Sequence, residues 1–259
     1  MNTFQAIIIA IIEGITEFLP VSSTGHMIIA SSFMKIQEDD FVKGFQVIIQ
    51  FAAILSVLVL YWKRFLPDWN FYKKLMLAFL PTAILGFLLK NVIDQFLESA
   101  LIVAWSLLIG GIILIWSDHI FKHLQTTGRK ISNLNALDSV KLGLYQSIAM
   151  IPGVSRSGAT IMGGLLLGMN KKEATEFSFF LAVPTMAAAT AYKFLKIYKH
   201  LNAEHIQALS IGFIVSFFVS IVAIKFFIGI VGRYGFKGFG YYRVLVGIAL
   251  LILIYTGRL

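Results

Sequence analysis

Cysteine is absent from the 259 residues. That excludes disulfides, thiolate metal sites and a cysteine nucleophile, and leaves the redox compartment unreadable from thiols. Charge is also scarce: 14% of residues are Asp, Glu, Lys or Arg, where a soluble domain carries about a quarter. No cleavable signal peptide is evident, because the apolar start lacks a basic n-region and a small-residue cleavage site. What fills the chain is hydrocarbon, with 58% hydrophobic residues, 23 Phe and a mean hydropathy of +0.82. This composition implies an integral membrane protein.

Net charge is +9, from 22 Lys+Arg against 13 Asp+Glu. No nucleic-acid motif accompanies it, so no nucleic-acid partner is expected. The basic residues sit in short loops between apolar runs, where they set topology and meet the head groups of membrane lipids.

Apolar runs near 45–62, 75–91, 100–117, 176–194, 207–228 and 241–257 approach the roughly 20 residues a helix needs to cross a bilayer. Pro81 and Pro184 fall inside two of them and predict kinks. If the loops around 63–74, 117–141, 170–172 and 225–243 face the cytoplasm, they hold about twice the Lys and Arg of the opposite loops, a positive-inside bias that puts both termini outside.

Two further apolar stretches are interrupted. Phe4 to Ile12 meets Glu13, Glu17 and Pro20 before apolar character resumes at Met27, and Leu142 to Gly168 is broken by "QSIAMIPGVSRSGAT". Broken helices lie at membrane depth only where they line a cavity or are buried in protein, so both read as re-entrant helix–loop–helix hairpins. Without gaps, "EGITEFLPVSSTG" (13–25) lies over "QSIAMIPGVSRSG" (146–158), matching Ile, Val, Ser and Gly and pairing Glu13 with Gln146. Each hairpin precedes three spans, an odd number, so the second unit is inverted. The expected fold is an all-α integral membrane protein: six transmembrane helices plus two hairpins in an inverted-topology repeat. Repeat one covers about 1–118, a cytoplasmic linker about 119–140 and repeat two about 141–259, with the site where the repeats meet.

Glu13 and Glu17, at i and i+4, share one helix face about 6 Å apart. Two like charges in a low-dielectric setting require either a proton or a cation between them, and carboxylate oxygens suit Mg²⁺ or Ca²⁺. Pro20 ends the first half-helix, and the hydroxyls of Ser22, Ser23 and Thr24 can cap the second, whose free N–H groups and dipole attract phosphate oxygens. The second loop, Pro152 to Gly158, repeats the design and adds Arg156, whose guanidinium matches phosphate bidentately. His26 is open to three readings: proton carrier, nucleophile, or buried histidine bonded to backbone. Ser23 can attack phosphorus if a neighbouring base takes its proton. Glu173 and Glu176 read as structural caps of a helix start, Gln50 as a hydrogen-bonding partner for a neighbouring helix, and His119, His123, His200 and His205 as solvated loop residues.

"EGITEFLPVSSTGH" (13–26) and "PGVSRSGAT" (152–160) resemble the bacterial undecaprenyl-diphosphate phosphatase family, integral membrane enzymes of the bacitracin-resistance type, and the hydropathy pattern extends the likeness over essentially the whole chain. The resemblance implies hydrolysis of the C55 polyprenyl diphosphate to its monophosphate and inorganic phosphate. That reaction recycles the lipid carrier of cell-wall synthesis and confers bacitracin resistance. It implies a divalent cation and a multi-pass protein of the bacterial inner membrane, working at its outer face. The family's acidic motif falls on Glu13 and Glu17, its hydroxyl and histidine motif on Ser22, Ser23, Thr24 and His26, and its arginine on Arg156.

The expected catalytic set is Glu17, Ser23, His26 and Arg156, with the nucleophile open between Ser23, His26 and water. Ser22, Thr24, Gly25, Gly153, Ser155, Ser157, Gly158 and Thr160 are expected to bind substrate, and Glu13 with Glu17 to hold Mg²⁺ or Ca²⁺. The expected partners are a polyprenyl diphosphate and membrane lipids, with a homodimer left open. The rival reading is a lipid-carrier flippase or anion transporter using the same pocket; binding an anion, however, has little use for two adjacent carboxylates.

Overall fold

A computed structural model describes residues 1–66, 68–96, 99–121 and 128–257. Regular structure in them is helical, apart from an isolated bridge between Arg129 and Met169. In chain order the α-helices are α1 (Thr3–Thr16), α2 (Ser23–Phe33), α3 (Asp40–Leu60), α4 (Trp69–Leu88), α5 (Lys90–Phe96), α6 (Ala100–Ile120), α7 (Ala136–Ser147), α8 (Arg156–Leu166), α9 (Lys171–Ile197), α10 (Ala203–Tyr234) and α11 (Lys237–Tyr255).

Six of these, α3, α4, α6, α9, α10 and α11, are long and apolar enough to cross a membrane, and they are the six that the hydropathy predicts. Much of their surface suits only lipid: Trp69 and Phe87 are each 83% exposed, part of an apolar exterior far beyond what a soluble monomer presents. The protein is a multi-pass membrane protein.

Helices α3, α4, α9 and α10 begin about a turn before their apolar runs. Asp39, Asp68, Asn170 and Asn202 lie in the polar flanks and accept hydrogen bonds from first-turn N–H groups, and a cap of this kind lets a helix start ahead of its hydrophobic stretch. Pro81 and Pro184 lie inside α4 and α9. Of the expected linker 119–140, residues 122–127, His123 among them, lie outside the described residues. Helix α11 starts early enough to carry Arg243 inside it, which corrects its reading as a loop cation.

Small residues set the helix–helix contacts, as is usual where lipid removes the hydrophobic drive to associate. A Cβ on Gly143 of α7 would come within 2.2 Å of the Ala78 carbonyl oxygen on α4. Between α1 and α10, Ser220 Oγ donates to Gly14 O at 3.3 Å. The turn after α1 is anchored by an aromatic cluster: Phe18 meets Phe179 of α9 edge-on at 5.1 Å, and Phe179, Phe180, Tyr61, Phe65, Phe71 and Phe227 continue it. This core fixes Glu17, next to Phe18, against Ser178, next to Phe179. Between the spans, Arg129 pairs with Asp138, while Lys74 donates to the carbonyls of Ile131 and Ser132.

Candidate active site

The two broken stretches form the same local structure twice. After α1 the chain turns through Pro20 and enters α2 from Ser22; after α7 it turns through Pro152 and enters α8 from Ser155. Both serines are N-caps with positive φ, 70° and 77°, in a region of backbone space that non-glycine residues rarely occupy. Each hydroxyl accepts from the N–H three residues on, Gly25 at 3.3 Å and Gly158 at 3.1 Å. Gly153, with φ 88°, has no room for a Cβ, which would approach the Val103 carbonyl oxygen to 2.7 Å. Two strained, side-chain-capped breaks in one chain signal that tertiary contacts hold them there.

The capped positions aim their next residues at one carboxylate. Ser23, first residue of α2, donates to Glu17 Oε2 at 2.6 Å. Arg156, first residue of α8, donates through Nη2 to Glu17 Oε1 at 2.7 Å. Its Nη1 donates to Ser178 O at 2.8 Å, while its buried Nε has no partner among the described residues. Ser157 Oγ donates to Leu19 O at 2.8 Å, tying the second break to the first.

A cavity of about 210 Å³ opens at this cluster. Glu17, Ser22, Ser23, Thr24, Gly153, Ser155 and Arg156 line its polar end, and Gln50, Thr82, Gln146, Met150, Thr185 and Met186 its other walls. The cavity is small, it mixes charged, hydroxyl and amide groups with Met, Ala and Pro side chains, and its charged pair is largely withdrawn from water; it suits a phosphate group better than a bulky ligand.

The expected residues divide around it. Glu17, Ser22, Ser23, Thr24, Gly153, Ser155 and Arg156 meet at the cavity. Gly25, Ser157, Gly158 and Thr160 stand behind it: the two glycine N–H groups are taken by the serine caps, Ser157 holds the opposite loop, and Thr160 Oγ1 donates to Arg156 O at 2.9 Å. His26 does not line the cavity. Its Nδ1 lies 2.8 Å from Ser22 O and its Nε2 2.7 Å from the Tyr242 hydroxyl, on which the ring also stacks. Glu13 is fully buried on α1, and neither carboxylate oxygen has a hydrogen-bond partner among the described residues.

That orphaned carboxylate bears on the divalent cation. Arg156 pairs directly with Glu17 and not with Glu13, which leaves Glu13 as an acidic group with no direct ion pair among the described residues in a dry setting, a state that favours a bound proton or cation. A hard-oxygen set of Glu13 and Glu17 fits Mg²⁺ or Ca²⁺, although among the described residues no group of three or more His, Cys, Asp or Glu clusters for a metal.

Other residues enter the site unannounced by the motifs. Gln146, aligned with Glu13, donates to Thr82 Oγ1 at 2.9 Å and Thr185 Oγ1 at 3.2 Å. Gln50 lines the cavity. Glu173 and Glu176 do not cap α9, whose start is capped by Asn170; Glu173 accepts from Ile131 N–H and Glu176 pairs with Arg64 and Lys172. His205 stacks on Phe41 and is not merely solvated. Arg243, fully buried, donates to carbonyls of both breaks. The one available signal for it was its place seven residues into an apolar helix, where a charge needs a reason.

Known proteins match this chain over nearly its whole length. The chain is 67% identical over 258 residues to an undecaprenyl-diphosphatase of Bdellovibrio bacteriovorus, covering 100% of this chain and 98% of the relative. It is 54% identical over 258 residues to one of Flavobacterium johnsoniae, covering 98% and 96%. It is 45% identical over 249 residues to one of Aquifex aeolicus, covering 96% and 97%. With residues 6–249 matching the family described as bacitracin resistance protein BacA, the chain belongs to that family.

Proposed function

We infer that this protein hydrolyses undecaprenyl diphosphate to undecaprenyl phosphate and inorganic phosphate, which recycles the carrier lipid of cell-wall synthesis and confers bacitracin resistance. The observation that carries the reading is Glu17 held between Ser23 and Arg156 in the wall of one cavity. The names of the full-length relatives point the same way.

In the mechanism, Ser23 is the nucleophile. Its hydroxyl already donates to Glu17, so the proton passes to that carboxylate as Oγ attacks the terminal phosphorus. The new bond is Ser23 Oγ–P, and the bond that breaks is the bridging P–O, whose electrons leave with undecaprenyl phosphate. The departing undecaprenyl phosphate takes the proton from Glu17, which is then free to accept one from the water that attacks the phosphoserine; the Ser23 Oγ–P bond breaks, that proton returns to Ser23 Oγ, and inorganic phosphate is freed. Arg156 turns its guanidinium toward the phosphoryl oxygens as negative charge spreads over them. The first N–H groups of α2 and α8, which lack intrahelical acceptors, complete the oxyanion cradle. His26, with both ring nitrogens engaged, holds the first loop. Glu13 and Glu17 would hold the Mg²⁺ or Ca²⁺, whose role when bound is to neutralise charge on the diphosphate.

The two helix–break–helix pairs read as re-entrant hairpins of an inverted repeat, about 1–118 and 141–259. Support comes from the matched serine caps and from the convergence of both breaks on Glu17. The positive-inside bias supports a cavity facing the outer side of the bacterial inner membrane.

The test is phosphate release from a prenyl diphosphate by purified protein, with and without EDTA. One phosphate per lipid, lost with EDTA, is the expected result. Translocation of the lipid without phosphate release would replace this reading with the transporter one.

A further inference from the structure

Arg243 is a fully buried guanidinium with no carboxylate pairing with it among the described residues. Its donors go to five carbonyl oxygens: Nη1 to Pro20 O at 3.1 Å and Val154 O at 2.9 Å, Nη2 to Gly153 O and Ser106 O at 2.9 Å each, and Nε to Leu107 O at 3.4 Å. The first acceptor belongs to the break after α1, the next two to the break after α7, and the last two to α6. Space for the guanidinium has been cleared: a Cβ on Gly110 would lie 2.2 Å from Nη2.

A dry charge is costly, and five carbonyl dipoles are what make this one tolerable. The geometry therefore has a consequence for the loops. A trans peptide points its C=O and N–H in opposite directions, so drawing Val154 O onto Arg243 turns the Ser155 N–H away from it, at a residue that lines the cavity. The bond to Pro20 O fixes the first break two residues before Ser22.

We propose that Arg243 is a positioning residue for the phosphatase reaction: it clamps both chain breaks from behind by their carbonyls, so that Ser23 and Arg156 converge on Glu17. The proposal rests on the hydrolase reading above. A guanidinium is needed because its fixed planar fork serves several acceptors at once; the three donors of a lysine ammonium cannot span acceptors on three segments.

The test uses the full chain in detergent. Arg243→Lys keeps the charge and removes the fork, and Arg243→Gln removes both. For Arg243→Lys the expected result is a thermal midpoint near that of the parent, kcat lowered at least tenfold and KM changed less than threefold. Gly110→Ala, which displaces the guanidinium without removing it, is expected to reproduce the kcat-selective loss. A readout free of activity uses the absence of native cysteine. Nitroxide labels at Phe33→Cys and Leu166→Cys, on the exposed ends of α2 and α8, are expected to give a broader distance distribution in Arg243→Gln than in the parent. Parent-like kcat in both Arg243→Lys and Gly110→Ala, or an unbroadened distribution, would overturn the proposal and leave the hydrolase reading standing. A parent that releases no phosphate would overturn both.

Discussion

Ser23 and Arg156 stand at the same place in two copies of one local motif, the first residue after a positive-φ serine cap, and each donates to a different oxygen of Glu17. The aligned stretches of sequence put unlike residues at equivalent positions, and the fold makes them partners across one carboxylate. One copy contributes a hydroxyl that can attack, the other a cation that can hold what is attacked. The predictions below follow from that division of labour.

Replacing Glu17 by Gln keeps the shape and removes the base. Turnover is expected to fall about 10²–10⁴-fold, the usual contribution of a positioned proton acceptor. Arg156→Ala is expected to lose at least as much, since it strips the cavity of its guanidinium and leaves Glu17 uncompensated. Single-turnover phosphate release checks both; activity within threefold of the parent in either variant would contradict the site.

Ser23→Ala and Tyr242→Phe separate the nucleophile from the loop support. The serine variant is expected to release no phosphate above background. The tyrosine variant loses only the hydroxyl facing His26 Nε2 and is expected to keep turnover within about tenfold, roughly the 1 kcal/mol of one net hydrogen bond. Its pH–rate profile should be unmoved. A displaced profile in Tyr242→Phe would return His26 to a proton-transfer role.

Neither carboxylate oxygen of buried Glu13 has a hydrogen-bond partner among the described residues. Glu13→Gln is expected to raise the Mg²⁺ or Ca²⁺ concentration needed for half-maximal activity and to weaken cation-dependent thermal stabilisation of the substrate-free protein. Equal cation dependence in both readouts would mean that Glu13 carries a proton and not a ligand role.

Asp138 gives a pH prediction from outside the membrane. Burial pushes its carboxyl up, but the Asn135 backbone N–H and the Arg129 guanidinium outweigh burial and hold it below the ordinary carboxylate range. A depressed folded-state value means that the stabilisation is present above the unfolded value, about 3.9, and fades as pH falls through the folded one. Asp138→Asn is expected to cost about 1 kcal/mol at neutral pH, the scale of a helix cap. Parent and variant melting curves should converge in acid. A gap that persists unchanged to low pH would exclude the linkage.

The spans were legible because bilayer thickness demands long apolar runs, and nothing else in the chain imitates them. The breaks were legible for the opposite reason: Glu13, Glu17, Pro20 and Pro152 are out of place in such a chain. Pairing Ser23 and Arg156 on one carboxylate was not legible, because their contacts with Glu17 span 6 and 139 residues. Local motifs say which groups are present, not which pairs meet.

Arg243 marks the boundary most clearly. By composition it is one basic residue near the start of an apolar helix, indistinguishable from a topology-setting cation. Its partners are backbone carbonyls, and every residue has one, so no side-chain pattern can announce them. Hydrophobic length, charge bias and chain-breaking residues are local quantities, and the amino-acid order alone determined them: a membrane-embedded helical protein with two polar interruptions. Which side chains share the cavity, and which guanidinium faces Glu17 while the other grips the loops from behind, was decided only when distant segments packed, because burial and hydrogen-bond geometry are properties of the assembled chain.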